Sequence, residues 1–307
     1  MKSGSNLEKV LKSGTFAITG ELGPPRGAEV KAVKEKAQHL KGMVDAVNIT
    51  DNQTAVVRMS SWGASTLLIQ EGLEPNYQMV CRDRNRIAMQ SDILGASALG
   101  IRNILCLSGD HQIFGDHPKS KKVFDIDSIQ LIGMVKKMRD EGKFMNDQEL
   151  TEPPKMFIGA AANPFGEPYE FRVHRLAKKI EAGADFIQTQ CIYNMERFRE
   201  WITQAHDMGL TEKVYILAGV TPMKALGMAR YMQKNVPGMD VPDWVIERLK
   251  GVEKKKQASE GIAICCEQIE EFKETKGIAG VHLMAIEWEQ RVPEIVEKAK
   301  LLPRPAL

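Results

Sequence analysis

The chain has 307 residues, with 42 Lys and Arg against 40 Asp and Glu, a formal charge of +2. Hydrophobic residues make up 43% and charged residues 27%, the balance of a soluble globular protein, so neither a disordered chain nor a disulfide-stapled miniprotein is encoded. Near-neutral charge argues against nucleic acid as the main partner, although it leaves room for a local phosphate-binding pocket.

In chain order, short β-branched apolar runs alternate with longer amphipathic stretches. The runs 16–18, 46–49, 77–80, 101–107, 156–160, 186–189, 214–217 and 281–286 read as strands. Helix-period segments span 28–41, 57–71, 83–98, 127–141, 168–182, 195–208, 222–234 and 255–275, and a last one, 288–300, follows the final run. Eight strands alternating with helices predict an α/β fold, a single (β/α)8 TIM barrel over residues 1–307. A doubly wound open sheet competes, but its glycine fingerprint is absent: GELGPPRG places two prolines in the first turn. Two stretches, 108–128 and 235–254, read as long loop insertions. The opening MKSGSNLEKVLKSG lacks the apolar core of a signal peptide, and no run reaches the length of a membrane span, so a cytoplasmic protein is expected.

Active sites of this fold lie at the carboxyl ends of the strands, which directs attention to the polar residues there. Glu21 follows the first strand, Thr50 and Asp51 the second, and Gln78 lies in the third. Ser108, Gly109 and Asp110 follow the fourth, Asn163 the fifth, and Gln188 and Gln190 lie in the sixth. A carboxylate at a barrel mouth beside apolar neighbours tends towards a raised pKa, which suits Glu21 to general-acid work. The competing reading is a structural acid paired with Arg26 or an interior lysine. Asp110 suits electrostatic stabilisation of a cation or, more plainly, capping of its loop. Gln190 offers a donor and an acceptor to a heterocycle with amide-like edges, or satisfies a neighbouring loop. Lys178 and Lys179, near a helix end, read as solvated dipole partners, and the 119–122 lysines as a solvated face or a phosphate contact.

Cys81, Cys106 and Cys191 each fall near a strand end. Convergent thiolates there would bind zinc and serve methyl transfer, but isolated cysteines are commonly small buried hydrophobes. The six histidines show no i, i+4 pair, and no metal site is predicted.

In this order the rim motifs resemble the flavin-dependent methylenetetrahydrofolate reductases over nearly the whole chain. They are GELGPPRG, VNITDNQ, MVCRDRN, SGD, GDHPKSKKVFDIDS, AANP and AGADFIQTQ. The resemblance implies a barrel that binds FAD, with FMN as the alternative, takes electrons from NAD(P)H and reduces 5,10-methylenetetrahydrofolate to 5-methyltetrahydrofolate. It makes Glu21 the general acid, Asp110 the residue that stabilises the 5-iminium cation, and Gln190 a pterin contact. Thr50, Gln78, Ser108, Gly109, Asp110, Asn163, Lys178 and Lys179 fall at flavin-contacting positions, with the lysine pair on its phosphates. Gln78 stands where many relatives carry histidine. Tyr231 and Trp288 are the aromatic candidates for substrate contact. The resemblance further implies a homo-oligomer, or a hetero-oligomer in which a metal-containing partner subunit supplies the electrons. A zinc-thiolate methyltransferase on the same fold is the reading from a different class.

Overall fold

The computed structural model describes residues 1–305, so the last two residues of the expected domain lie outside it. The eight strands are β1 (Ala17–Leu22), β2 (Ala46–Ile49), β3 (Pro75–Val80), β4 (Asn103–Leu107), β5 (Phe157–Ala162), β6 (Phe186–Cys191), β7 (Tyr215–Val220) and β8 (Ile278–Leu283). All neighbours pair in parallel, and β8 closes on β1 through Ala17–Gly280 and Thr19–His282, so the sheet is a closed (β/α)8 barrel. Closure leaves no sheet edge exposed. The helices are α1 (Asn6–Lys12), α2 (Val30–Leu40), α3 (Ser61–Gln70), α4 (Arg86–Ala98), α5 (Ser128–Asp140), α6 (Arg172–Ala182), α7 (Met195–Asp207), α8 (Leu226–Asn235), α9 (Asp243–Lys250), α10 (Gln257–Glu274) and α11 (Val292–Lys298). None among the described residues is long and apolar enough to cross a membrane.

Two helices depart from the sequence expectation. α1 has seven residues, too few for a periodic signal, and Ser5 caps it by accepting the Glu8 N–H. Its Leu7, Val10 and Leu11, at i, i+3 and i+4, plug the amino-terminal end of the barrel against Ala17, Ala46, Leu105, Phe157, Phe186 and Leu217. α9 lies inside the stretch expected to be a loop. Val245, Ile246 and Leu249 bury one of its faces in a cluster with Met223, Met232 and Tyr193, so Pro242 starts a helix there rather than extending a loop. β8 begins and ends three residues earlier than expected. Gly280 weakens the apolar signal at its start, yet the position needs glycine, because a Cβ there would lie 2.3 Å from the Ala17 carbonyl oxygen.

At the amino-terminal end one device is used twice. Asp45, just before β2, accepts the Ile18 N–H at 2.8 Å and a two-pronged contact from Arg304. Asp185, just before β6, accepts the Ile158 N–H at 2.9 Å and pairs with Arg139 at 2.6 Å. Each carboxylate is nearly fully buried and ties one strand to the next. Glu74, before β3, binds the Leu7 N–H and Asn103 Nδ2, both at 2.9 Å, and burial pushes its pKa up. These contacts fix the base of the barrel, away from the polar rim.

Candidate active site

Strand alternation sends Ile18 and Leu22 outward into the helix-facing core and Thr19 and Glu21 inward. At the carboxyl end of the barrel the inward residues surround a cavity of about 420 Å³, a size suited to a small-molecule ligand. Its wall includes Glu21, Gln78, Ser108, Asn163, Lys179, Gln188 and Gln190, seven of the residues selected from sequence.

Glu21 is 9% exposed, and its Oε2 lies 3.6 Å from His282 Nε2. The other ring nitrogen, Nδ1, is 2.9 Å from Thr19 Oγ1. Glu21 is not the partner of Arg26, which binds Asp116 at 2.5 Å instead. Gln190 owes its aim to a register irregularity between β6 and β7 from Gln188 to Cys191, the kind of bulge that redirects side chains at functional sites. Gly219 permits it, since a Cβ there would lie 2.4 Å from the Thr189 carbonyl oxygen. Gln190 Oε1 accepts the Cys191 N–H at 3.1 Å, which leaves the two Nε2 hydrogens for a ligand. Ser108 Oγ meets Ser128 Oγ at 3.2 Å.

One end of the cavity is cationic. Arg172, Arg175 and Lys179 line it from one face of α6, at spacing i, i+3 and i+7. Burial, and then repulsion from Arg175, lowers the Lys179 pKa to about 8. No carboxylate among the described residues pairs with it, and its Nζ donates to the Ala161 carbonyl oxygen. A half-buried cation with cationic neighbours and no carboxylate partner is suited electrostatically to an anion. Lys178, one residue away, points off this face and is exposed.

The loop after α8 crosses the mouth. Gly238, at φ +76°, brings it against Asn163, where a Cβ would lie 2.2 Å from Nδ2. Asp240 Oδ2 anchors the loop by accepting from Arg197 Nη1 at 2.8 Å and Asn194 Nδ2 at 3.0 Å.

The remaining selected residues lie off the cavity wall. Thr50 is buried with Oγ1 unpartnered. Gly109, at φ +88°, fits closely over Val80 and Arg82. The Asp110 carboxylate accepts the Thr54 N–H at 3.2 Å, tying two rim loops together. Tyr231 is 61% exposed on α8. Trp288 packs on the core with Lys224 Nζ and Arg291 Cζ each 5.8 Å from its ring centre, a cation–π arrangement. Lys119, Lys121 and Lys122 are exposed on the loop after β4.

Sequence reasoning missed Arg172, Arg175 and His282. The first two carried a usable signal in their helical spacing with Lys179. His282 carried none, because it belongs to a strand whose ends were misplaced. The thiols do not converge on a metal: no group of three or more His, Cys, Asp or Glu among the described residues is placed to hold one. Burial pushes the Cys81 and Cys191 pKa values up to about 12, which keeps both as thiols at neutral pH.

The methylenetetrahydrofolate reductase family model matches residues 6–300. A probable methylenetetrahydrofolate reductase (NADPH) of Caenorhabditis elegans is 23% identical over 252 residues, covering 80% of this chain and 35% of that protein. Methylenetetrahydrofolate reductase 2 of Schizosaccharomyces pombe is 24% identical over 243 residues, covering 74% and 36%. The chain thus spans about a third of the length of these relatives. Among solved structures, an uncharacterised protein from Clostridium thermocellum that binds two copies of 5-methyl-5,6,7,8-tetrahydrofolic acid superposes with a TM-score of 0.62. It is 15% identical, with 97% of this chain and 99% of that one covered.

Proposed function

The chain belongs to the methylenetetrahydrofolate reductase family, and from that premise we propose that it reduces 5,10-methylenetetrahydrofolate to 5-methyltetrahydrofolate in one flavin- and folate-binding barrel. The observation that carries this reading is a carboxylate, Glu21, on the wall of a cavity whose other end is lined by three cations. The Clostridium protein's bound 5-methyl-5,6,7,8-tetrahydrofolic acid is consistent with the proposed product.

The residues present fit a flavin. Lys179, Arg172 and Arg175 offer an anion site for its phosphate, and Gln78 and Asn163 offer amides to its polar edges. FAD is the proposed cofactor, with FMN the alternative and NAD(P)H the donor. When bound, the flavin supplies hydride transfer. The chain's own work is acid–base and positional. Glu21 gives a proton to the folate amine so that the ring opens to a cation. His282, at 3.6 Å, faces the carboxylate left behind. Gln190 presents its amide hydrogens to the pterin. Asp110 is proposed to face the developing cation, which requires its side chain to turn from the Thr54 N–H.

The first test is binding: purified protein should take up FAD or FMN with quenched flavin fluorescence, and binding of neither sinks the reading. Affinity should also depend on pH. A flavin phosphate favours charged Lys179, so affinity should be flat below pH 8 and fall above it, as the free protein's lysine loses its proton near 8. The limiting slope is about tenfold per pH unit. In Lys179→Arg, whose charge does not titrate in this range, the slope should vanish. A wild-type affinity unchanged between pH 7 and 9 would rule out Lys179 as the phosphate contact.

One observation favours a partner subunit as electron donor. Ile113 and Phe114, on the loop that also carries the three lysines, are 63% and 74% exposed beside the mouth. Stopped-flow bleaching of the flavin by NADH, with and without a co-purified partner, separates the two donors. No observation favours the zinc-thiolate reading.

A further inference from the structure

Barrel interiors are usually filled by layers of branched aliphatic side chains. Below Glu21 this barrel instead has a polar layer drawn from five strands: Thr19, Asn48, Asn76, Gln188 and His282, each at most 4% exposed. Burying so many polar groups is costly unless their hydrogen bonds are met. The layer is hydrogen-bonded except at Asn76 Oδ1, which has no partner, and apart from a return bond from Gln188 Nε2 to Asn48 Oδ1 at 3.2 Å its bonds lead towards His282.

Asn76 Nδ2 donates to Asn48 Oδ1 at 2.7 Å. Asn48 Nδ2 donates to Gln188 Oε1 at 2.7 Å. Gln188 Nε2 then donates to Thr19 Oγ1 at 2.9 Å. Each amide has hydrogens at one end only, so the sense of one fixes the sense of the next. Thr19 Oγ1 has a single hydrogen. If it accepted from both Gln188 and His282, that buried hydrogen would have no acceptor among its contacts, so it goes to His282 Nδ1, at 2.9 Å. A neutral imidazole that accepts at Nδ1 carries its hydrogen on Nε2, the atom 3.6 Å from Glu21 Oε2. Asn48 Nδ2 lies 3.4 Å from the same Nε2 and by itself would favour the opposite form. That contact is at the weak limit of hydrogen bonding, whereas the Thr19 contact is of ordinary length. The Thr19 side therefore decides.

We propose that Gln188 is a positioning residue: through Thr19 it holds His282 with its hydrogen on Nε2, aimed at Glu21. The ring then turns an N–H towards the Glu21 carboxylate, at 3.6 Å, once Glu21 has passed on its proton. Asn48 and Asn76 hold Gln188 in the required sense. This rests on the reading of Glu21 as general acid, but the tautomer itself is a property of the resting protein.

The test is 15N NMR of the histidine-labelled flavoprotein, in which His282 is one of six histidines and is assigned by its loss in His282→Gln. The wild type should show the hydrogen on Nε2. Gln188→Glu, which presents an acceptor to Thr19 in place of a donor, should move it to Nδ1 and slow folate reduction by about tenfold, a part of what a general acid is worth. Should Gln188→Glu fail to fold, Thr19→Ser should keep the wild-type form while Thr19→Val loses the preference. A wild type with its hydrogen on Nδ1 overturns the proposal. So does an unchanged tautomer in Gln188→Glu or in Thr19→Val. Failure of the reductase reading would instead appear as a wild type without folate turnover, whatever the tautomer.

Discussion

Glu21→Gln should slow reduction of methylenetetrahydrofolate by roughly 10²- to 10⁴-fold, the usual worth of a positioned general acid. Glutamine keeps the shape of the side chain and its place on the cavity wall but has no proton to give at that point. Reduction of bound flavin by NAD(P)H calls on no acid there and should stay near the wild-type rate. Stopped-flow absorbance of the flavin follows both half-reactions separately. Equal slowing of the two would mean that Glu21 shapes the cavity rather than supplying a proton. Unchanged folate reduction would favour a barrel that merely binds folate or a partner.

Asp185→Asn should cost about 3–5 kcal/mol of folding stability, the range for removing one member of a buried ion pair. Asp185 is 6% exposed and Arg139 9%, and they meet at 2.6 Å. The same carboxylate oxygen accepts the Ile158 N–H, so the charge also holds β5 beside β6. Arg139 would keep Asp140 at 2.6 Å and the Met156 carbonyl oxygen at 2.9 Å, and Lys2 would lose its carboxylate partner as well. The exposed pair Arg86–Asp125 provides the contrast: its removal should cost far less, because solvent screens surface pairs. Urea unfolding of both variants at neutral pH measures the difference. A loss below about 1 kcal/mol for Asp185→Asn would show that the base of the barrel does not depend on the device that Asp45 and Asp185 share.

Much of the fold was legible in the chain because its signals are local. Seven of the eight strands fall within a few residues of their apolar runs. β8 was displaced because Gly280 must be small against Ala17, while Met284 to Ile286 prolong the apolar run beyond the strand. α1 was invisible because seven residues are too few to show a period. The rim was partly legible for the same local reason. Glu21, Gln78, Ser108, Asn163 and Gln190 reach the cavity from strand ends. Reading a strand to its end says how high a residue sits but not where its side chain turns, and Thr50 and Asp110 turned elsewhere. The lysine pair needed a helical phase: Lys179 shares a face with Arg172 and Arg175, and Lys178 does not.

The sequence by itself determined the number and order of the strands, the rim on which the site lies and the family motifs spread along it. Hydrophobic period and turn residues act within a few positions, so they survive reading one residue after another. Only the closed barrel decided which polar groups meet. Thr19 and His282 stand 263 residues apart and touch because β8 pairs with β1. Gln188 reaches Asn48 only across the barrel interior. No local pattern carries that information, because the partners are supplied by closure of the sheet, and so the polar layer beneath Glu21 is a product of the tertiary structure.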